Sequence, residues 1–228
     1  MTQAHAITRQ VLCYGDSNTW GCIPLRGDEA PRRFTRAERW TGVLQDELGP
    51  DYWIIEEGLN GRTTTRDDTE PYRNGLTFLL PTLEAHHPLD LVVVMLGTND
   101  LKERFAASPV EIAHGAGQLV RAIRKSGFGP DGRSPQVVLV SPPLIGRLRQ
   151  SDTEFEGAYV KSLLLGDAFR DIAEAESCAF LDAGQHVSGS DSDGVHLERE
   201  SHATLGNAVA IAVRQASVAS EDERGRHV

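Results

Sequence analysis

Long apolar runs are missing from this 228-residue chain, and no stretch approaches the ~18 apolar residues of a membrane-spanning helix. The opening MTQAHAITRQ has no apolar core of the kind a secretory leader carries, which predicts a cytoplasmic protein with no membrane partner. Cysteine is scarce. Cys13, Cys22 and Cys178 form no close pair and leave one over, which argues against a disulfide framework and suits a reducing compartment. Cys13 and Cys178 lie inside apolar runs and read as small buried hydrophobes. Basic charge is outweighed, with 23 Lys and Arg against 33 Asp and Glu for a net charge of −10, part of it in the tail SEDE. A nucleic-acid partner would need a basic face, so none is expected. H-E-x-x-H and paired C-x-x-C motifs are absent, and the adjacent His86 and His87 would point in different directions on a helix. No P-loop appears and no G-x-G-x-x-G follows the first apolar run. Neither a metal nor a cofactor is expected.

What the chain does have is five short apolar runs, each followed by turn residues. They are VLCYG (11–15), YWIIEEG (52–58), LVVVMLG (91–97), QVVLVSP (136–142) and CAFLDAG (178–184). Near-continuous hydrophobicity and β-branched content suit parallel strands buried on both faces. Helical spacing fills 38–48, 110–125, 155–176 and 199–215, as in ERWTGVLQDEL with Trp40, Val43, Leu44 and Leu48 on one side. Strand–helix alternation without a long polar linker predicts one α/β domain over 1–216 with a five-stranded parallel sheet. Residues 217–228 read as a frayed tail, and His202 as an exposed residue on the last helix.

Open parallel sheets bind ligands beyond the carboxyl ends of their strands. The residues just past the first four runs are G-D-S-N (15–18), G-L-N-G-R (58–62), G-T-N-D (97–100) and S-P-P (141–143), and beyond the fifth comes D-G-V-H (193–196). A serine there is a weak nucleophile until a base takes its proton. His196 supplies a base that titrates near neutrality, and Asp193, three residues earlier, can reach its Nδ1 and fix the tautomer. An oxyanion formed on attack needs donors in place: the N–H of Ser17, the N–H of Gly61 and the side-chain amide of Asn99 are available. Gly15 and Gly97 permit the sharp exits that raise these groups above the sheet. Asp16 reads as support for the Ser17 turn through backbone hydrogen bonds.

A lone G-D-S or G-T-N-D is an ordinary turn. Four such blocks in order at strand ends are not, and the chain resembles the SGNH, or GDSL-type, hydrolases, with blocks around Ser17, Gly61, Asn99 and His196. CYGDSNTWG, RWTGVL, EEGLNGRTT, LGTND and DGVHL are more specifically similar to the bacterial arylesterase and acyltransferase branch. The resemblance implies a flavodoxin-like three-layer α/β/α sandwich. It implies a serine esterase working through an acyl-enzyme, with Ser17, Asp193 and His196 as triad and Ser17, Gly61 and Asn99 as oxyanion hole. It leaves open acyl transfer to alcohols and a homo-oligomeric state. Asn18 departs from the branch, where acyl-transferring relatives often carry an apolar residue, and a polar side chain there would hold water near the acyl-enzyme.

The expected substrate is a small-molecule ester with a short acyl group, aryl esters preferred. Trp20, Asn18, Ile23 and Phe155 are the candidates to line the cleft, in loops around 18–36 and 143–160. A carbohydrate O-acetylesterase or a thioesterase with the same triad is the alternative. A silent ligand-binding protein is disfavoured by the intact Ser17, Asp193, His196 and Asn99.

Overall fold

Each expected strand presents two apolar faces, and the fold buries both. The structure is a computed structural model that describes residues 8–27, 30–149 and 153–225, with side chains described as far as Val218. Five strands, β1 (Arg9–Gly15), β2 (Tyr52–Gly58), β3 (Leu91–Met95), β4 (Gln136–Ser141) and β5 (Ala179–Asp182), form one sheet in the order β2-β1-β3-β4-β5. All neighbours run parallel, with Leu12 opposite Ile55 and Val92, and Val93 opposite Val138. Among the described residues seven α-helices accompany them: α1 (Ser17–Trp20), α2 (Trp40–Leu48), α3 (Gly75–His86), α4 (Pro109–Arg124), α5 (Ala158–Ser162), α6 (Leu165–Ala175) and, after the last strand, α7 (Arg199–Gly225).

Alternation along the strands divides the core in two. Val11 and Cys13 of β1 pack with Trp40 and Leu44 of α2 and Leu205 and Val209 of α7. Leu12 and Tyr14 face the other way, toward Leu79 of α3, Ile112 and Leu119 of α4 and Phe169 of α6. The expected three-layer α/β/α sandwich is therefore present, with every residue from Val11 to Tyr14 fully buried. The chain moves outward from β1 to β2, then returns to β3 and continues the opposite way. The strand order thus reverses between β1 and β3, and the crevice beyond their carboxyl ends is where such sheets take ligands.

Several expectations need correction. No helix is among those expected between 59 and 90, and GLTFLLPTLEAH carries Pro81 in its middle. α3 forms regardless: Asn74 caps it, accepting from the N–H groups of Leu76 and Thr77. The carbonyl that loses its partner to Pro81 belongs to Thr77, an exposed residue where water can serve. The single helix expected over 155–176 is split into α5 and α6. Gly157 sits at φ +73, outside helical space, and Ser162 Oγ donates back to the Tyr159 carbonyl at 2.7 Å. The tail expected from 217 is helical to Gly225, since SVASEDER contains no helix breaker and α7 simply continues. Residues 226–228 lie outside the described residues. His202 is not exposed but wholly buried. Its Nδ1 accepts the Trp40 N–H at 3.3 Å and its ring meets Phe34 edge-on at 5.2 Å. Among the described residues no helix is long and apolar enough to cross a membrane.

Candidate active site

The turn that carries Ser17 is built by exclusion. A Cβ on Gly15 would fall 2.0 Å from Thr19 Oγ1 and 2.9 Å from the Met95 carbonyl oxygen. One on Gly58 would fall 2.1 Å from the Trp20 N. The ends of β1 and β2 therefore close directly on α1, and Ser17 begins that helix at the rim of the sheet. Asp16 caps it, its Oδ1 accepting the Asn18 N–H at 2.9 Å. Burial pushes the Asp16 carboxyl up to about 6, against hydrogen bonds from Asn18 and Thr98 that hold it down.

The histidine arrives from the other end of the chain. Gly194 takes φ +74, and a Cβ there would lie 2.8 Å from the Arg147 carbonyl carbon, so the D-G-V-H turn is pressed against the loop after β4. The Gly146 N–H donates to the Gly194 carbonyl at 2.7 Å, and the Ser190 N–H to the His196 carbonyl at 2.9 Å. Asp193 is the hub. Its Oδ1 accepts the N–H groups of Val195 and His196, both at 2.9 Å, and the Ser190 hydroxyl at 3.1 Å. Its Oδ2 accepts the Leu25 N–H at 2.7 Å and meets His196 Nδ1 at 2.8 Å. His196 Nε2 lies 3.1 Å from Ser17 Oγ. The result is a continuous carboxylate–imidazole–hydroxyl chain, with Asp191 exposed and outside it.

Electrostatics follow from this geometry. Burial would raise the Asp193 carboxyl, but the His196 ring and the backbone donors hold it well below the usual carboxylate range. Burial would lower His196, yet the Asp193 carboxylate foremost, together with the adjacent Cys22, raises it above an ordinary histidine. An imidazole so placed takes a proton readily, and the positive charge it gains is met by a carboxylate already in place.

Facing Ser17 is the loop after β2. The Arg62 N–H closes a turn on the Leu59 carbonyl at 3.1 Å, with Gly61 at φ +78, where a side chain would be strained. Arg62 Nη1 donates to the Gly15 carbonyl at 2.9 Å and its guanidinium covers the Tyr14 ring at 4.0 Å. Asn99 Nδ2 donates to the Arg62 carbonyl at 3.1 Å, which leaves the second amide hydrogen for the cleft. Asp100, fully buried, takes the Thr64 N–H at 2.9 Å and so holds the Asn99 turn against the Gly61 loop. Ser17, Gly61, Asn99, Asp193 and His196 all line one cavity of about 540 Å³.

The expected lining holds only in part. Phe155 faces the cavity, and Cys22, Leu25 and Val195 contribute apolar surface that sequence reading missed. Trp20 and Ile23 are not among the lining residues; Trp20 stacks with Arg33, whose guanidinium carbon is 5.1 Å from its ring centre. Asn18 is also absent from the lining and only 1% exposed, with its Nδ2 and Oδ1 turned to the backbone at 195 and 197. It cannot hold water in the cleft. An ionic rim was likewise not foreseen: Lys102 and Arg104 pair with Asp68 and Glu154 at the cavity edge. The K-E-R run after G-T-N-D is its only sequence trace, and surface charge is common enough to hide it.

A doubly wound parallel sheet with this chain of groups at its switch point defines an SGNH-type carboxylic ester hydrolase domain. The comparisons with known proteins agree. The chain belongs to the GDSL-like lipase/acylhydrolase family, which it matches over residues 13–204. It is similar to the aryl esterase of M. smegmatis, at 39% identity over 92% of this chain and 100% of that one, with a TM-score of 0.88. A carbohydrate acetylesterase from Sinorhizobium meliloti is 40% identical over 91% and 99%, with a TM-score of 0.87. An acetylxylan esterase of Xylanibacter ruminicola is 30% identical over 116 residues. That match takes in 50% of this chain and only 22% of the larger protein.

Proposed function

We propose that the protein hydrolyses short-chain acyl esters, aryl esters preferred, through an acyl-enzyme on Ser17. The observation that carries this reading is the 3.1 Å contact of Ser17 Oγ with His196 Nε2, itself backed by Asp193 at 2.8 Å. Ser17 Oγ attacks the ester carbonyl carbon as its proton passes to His196 Nε2. The carbonyl oxygen becomes an oxyanion facing the N–H groups of Ser17 and Gly61 and the free amide hydrogen of Asn99. Collapse breaks the bond to the alcohol oxygen, which leaves with the proton from His196. Water then repeats the sequence on the acyl-enzyme, releasing the acid and Ser17. Acyl transfer uses the same steps with an alcohol in place of water.

The small acyl group is supported by the lining near Ser17. Cys22, Leu25, Val195 and Phe155 provide limited apolar surface, interleaved with charged side chains. A channel for a fatty chain would gain up to ~0.8 kcal/mol for each methylene it buries. Comparing kcat/KM for p-nitrophenyl acetate, butyrate, octanoate and palmitate tests this. A maximum at two to four carbons is expected, and a steady rise toward palmitate would overturn it.

The ionic rim of Lys102, Arg104, Asp68 and Glu154 favours one second reading. Paired charges offer hydrogen bonds to a hydroxylated alcohol, as in a carbohydrate O-acetyl ester, and little to a phenol. Acetylated xylose assayed beside p-nitrophenyl acetate decides between them: a higher kcat/KM on the sugar promotes the carbohydrate reading. A thioester substrate has no observation of its own in support.

A further inference from the structure

The residue that follows Ser17 reaches across the site to the histidine's own backbone. Asn18 Nδ2 donates to the Val195 carbonyl at 3.2 Å, and Asn18 Oδ1 accepts the Leu197 N–H at 3.1 Å. One side-chain amide thus grips the peptide units on both sides of His196, donor to acceptor and acceptor to donor, as a neighbouring strand would. Asn18 is itself fixed, with its N–H on Asp16 Oδ1 at 2.9 Å and its residue 1% exposed. The two residues it joins are 177 and 179 positions away in the chain. We infer that Asn18 is a positioning residue that sets the distance between His196 Nε2 and Ser17 Oγ.

This role is geometric, and it rests on the proposed roles of Ser17 and His196. Asp193 orients the imidazole ring, but it belongs to the same short loop as His196 and moves with it. Its bond from the Leu25 N–H ties the acid to a point eight residues past Ser17, a longer link than one through the residue next to the nucleophile. Backbone bonds from Gly146 and Ser190 tie the loop to its own side of the sheet. Asn18 is different because it is covalently next to Ser17, so its two bonds link nucleophile and base with one intervening residue. Proton transfer falls off steeply with donor–acceptor separation, and a displacement of about 1 Å in a reacting pair can cost about 10²-fold. The clamp should therefore act on the chemical step and leave substrate binding alone.

The test uses Asn18→Leu, which keeps the volume and removes both hydrogen bonds. Asn18→Asp is the second variant: it keeps the acceptor for the Leu197 N–H and sets an oxygen against the Val195 carbonyl. Active sites are counted by a fluorophosphonate titration, so that misfolded protein does not enter the rate. For p-nitrophenyl acetate, per-site kcat is expected to fall about 10–100-fold in Asn18→Leu and at least about threefold in Asn18→Asp. KM should stay within about twofold, and the rate of Ser17 phosphonylation should fall with kcat, because both need the base in place. The acidic inflection of kcat/KM should not move in Asn18→Leu, since His196 keeps Asp193 and no charge is added. Per-site kcat at the wild-type value in Asn18→Leu would overturn the clamp. A rise in KM alone would make Asn18 a substrate-binding residue and overturn it equally. Ser17→Ala and His196→Ala run alongside keep the two readings apart. If they retain activity, the proposed roles of Ser17 and His196 fail; if they are inactive while Asn18→Leu turns over at full rate, only the clamp fails.

Discussion

Asp193 Oδ2 holds the Leu25 N–H at 2.7 Å and His196 Nδ1 at 2.8 Å at the same time. The loop after α1 thus reaches the acid of the site through its main chain, across 168 positions of sequence. That bond adds to the larger effect of the His196 ring in holding Asp193 ionised, so the acid is aimed in part by a segment that bears no chemistry of its own.

The first consequence concerns Asp193 itself. Asp193→Asn should lower kcat by about 10⁴-fold, because the imidazole loses its tautomer and its countercharge. Asp193 is also the foremost cause of the raised His196 basicity. Protonated His196 cannot accept the serine proton, so activity rises with pH through its titration. Removing the carboxylate lowers that titration, and the acidic inflection of kcat/KM should move to lower pH in the residual activity. An inflection that stayed in place would show that Asp193 is not coupled to His196. Asp191→Asn, by contrast, should remain within about twofold of wild type, Asp191 being exposed.

Ser17→Ala should reduce kcat by on the order of 10⁴–10⁶-fold, as loss of the nucleophile does in other triads. Mass spectrometry after fluorophosphonate treatment should find the adduct on Ser17 in the wild type and on no serine in the variant. A tenth of wild-type activity in Ser17→Ala would end the assignment.

Asn99 has two duties that separate kinetically and thermodynamically. One amide hydrogen is spent on the Arg62 carbonyl at 3.1 Å, and the other faces the cavity. Asn99→Ala should cost about 10²–10³-fold in kcat with KM little changed. It should also lower unfolding stability by about 1 kcal/mol, the usual contribution of one such bond. A variant with raised KM and normal kcat would place Asn99 in ground-state binding instead.

His202 gives an acid-stability prediction remote from the cleft. Burial, foremost, with the charges of Arg39 and His196, brings it down to about 4. In the unfolded chain it titrates near ~6.5, so the fold binds the neutral ring. Stability from this group is full above about pH 6.5, declines as pH falls, and is gone below about 4, a loss of about 3 kcal/mol. Asp16 works in the opposite sense, since its raised carboxyl loses stability as pH rises through about 6. The comparison that isolates His202 is urea unfolding of wild type and His202→Phe at pH 7 and pH 5. The wild type should lose more stability between the two, although the variant starts lower for want of an acceptor for the Trp40 N–H. Equal losses would contradict the buried neutral histidine.

Much of this protein is legible in its sequence, for a local reason. The run VLCYG is apolar without a break because both faces of β1 are covered, and the same holds for LVVVM in β3. Turn residues must follow such strands, so the places of Ser17, Gly61 and Asn99 just past the apolar runs, with His196 beyond the fifth, are enough to assign them to one rim. D-x-x-H spacing likewise brings Asp193 to His196 within a single turn. What the tertiary structure decided are the relations between segments that sequence proximity cannot encode. Asn18 reads as a cleft residue, but its amide is consumed 177 positions away, and His202 reads as exposed although Trp40 and Phe34 close around it. α3 forms around Pro81, and the solvent-facing position of Thr77 makes the lost hydrogen bond tolerable. Periodicity reports whether a side chain is buried; which partner satisfies a buried polar atom is settled only when distant segments meet.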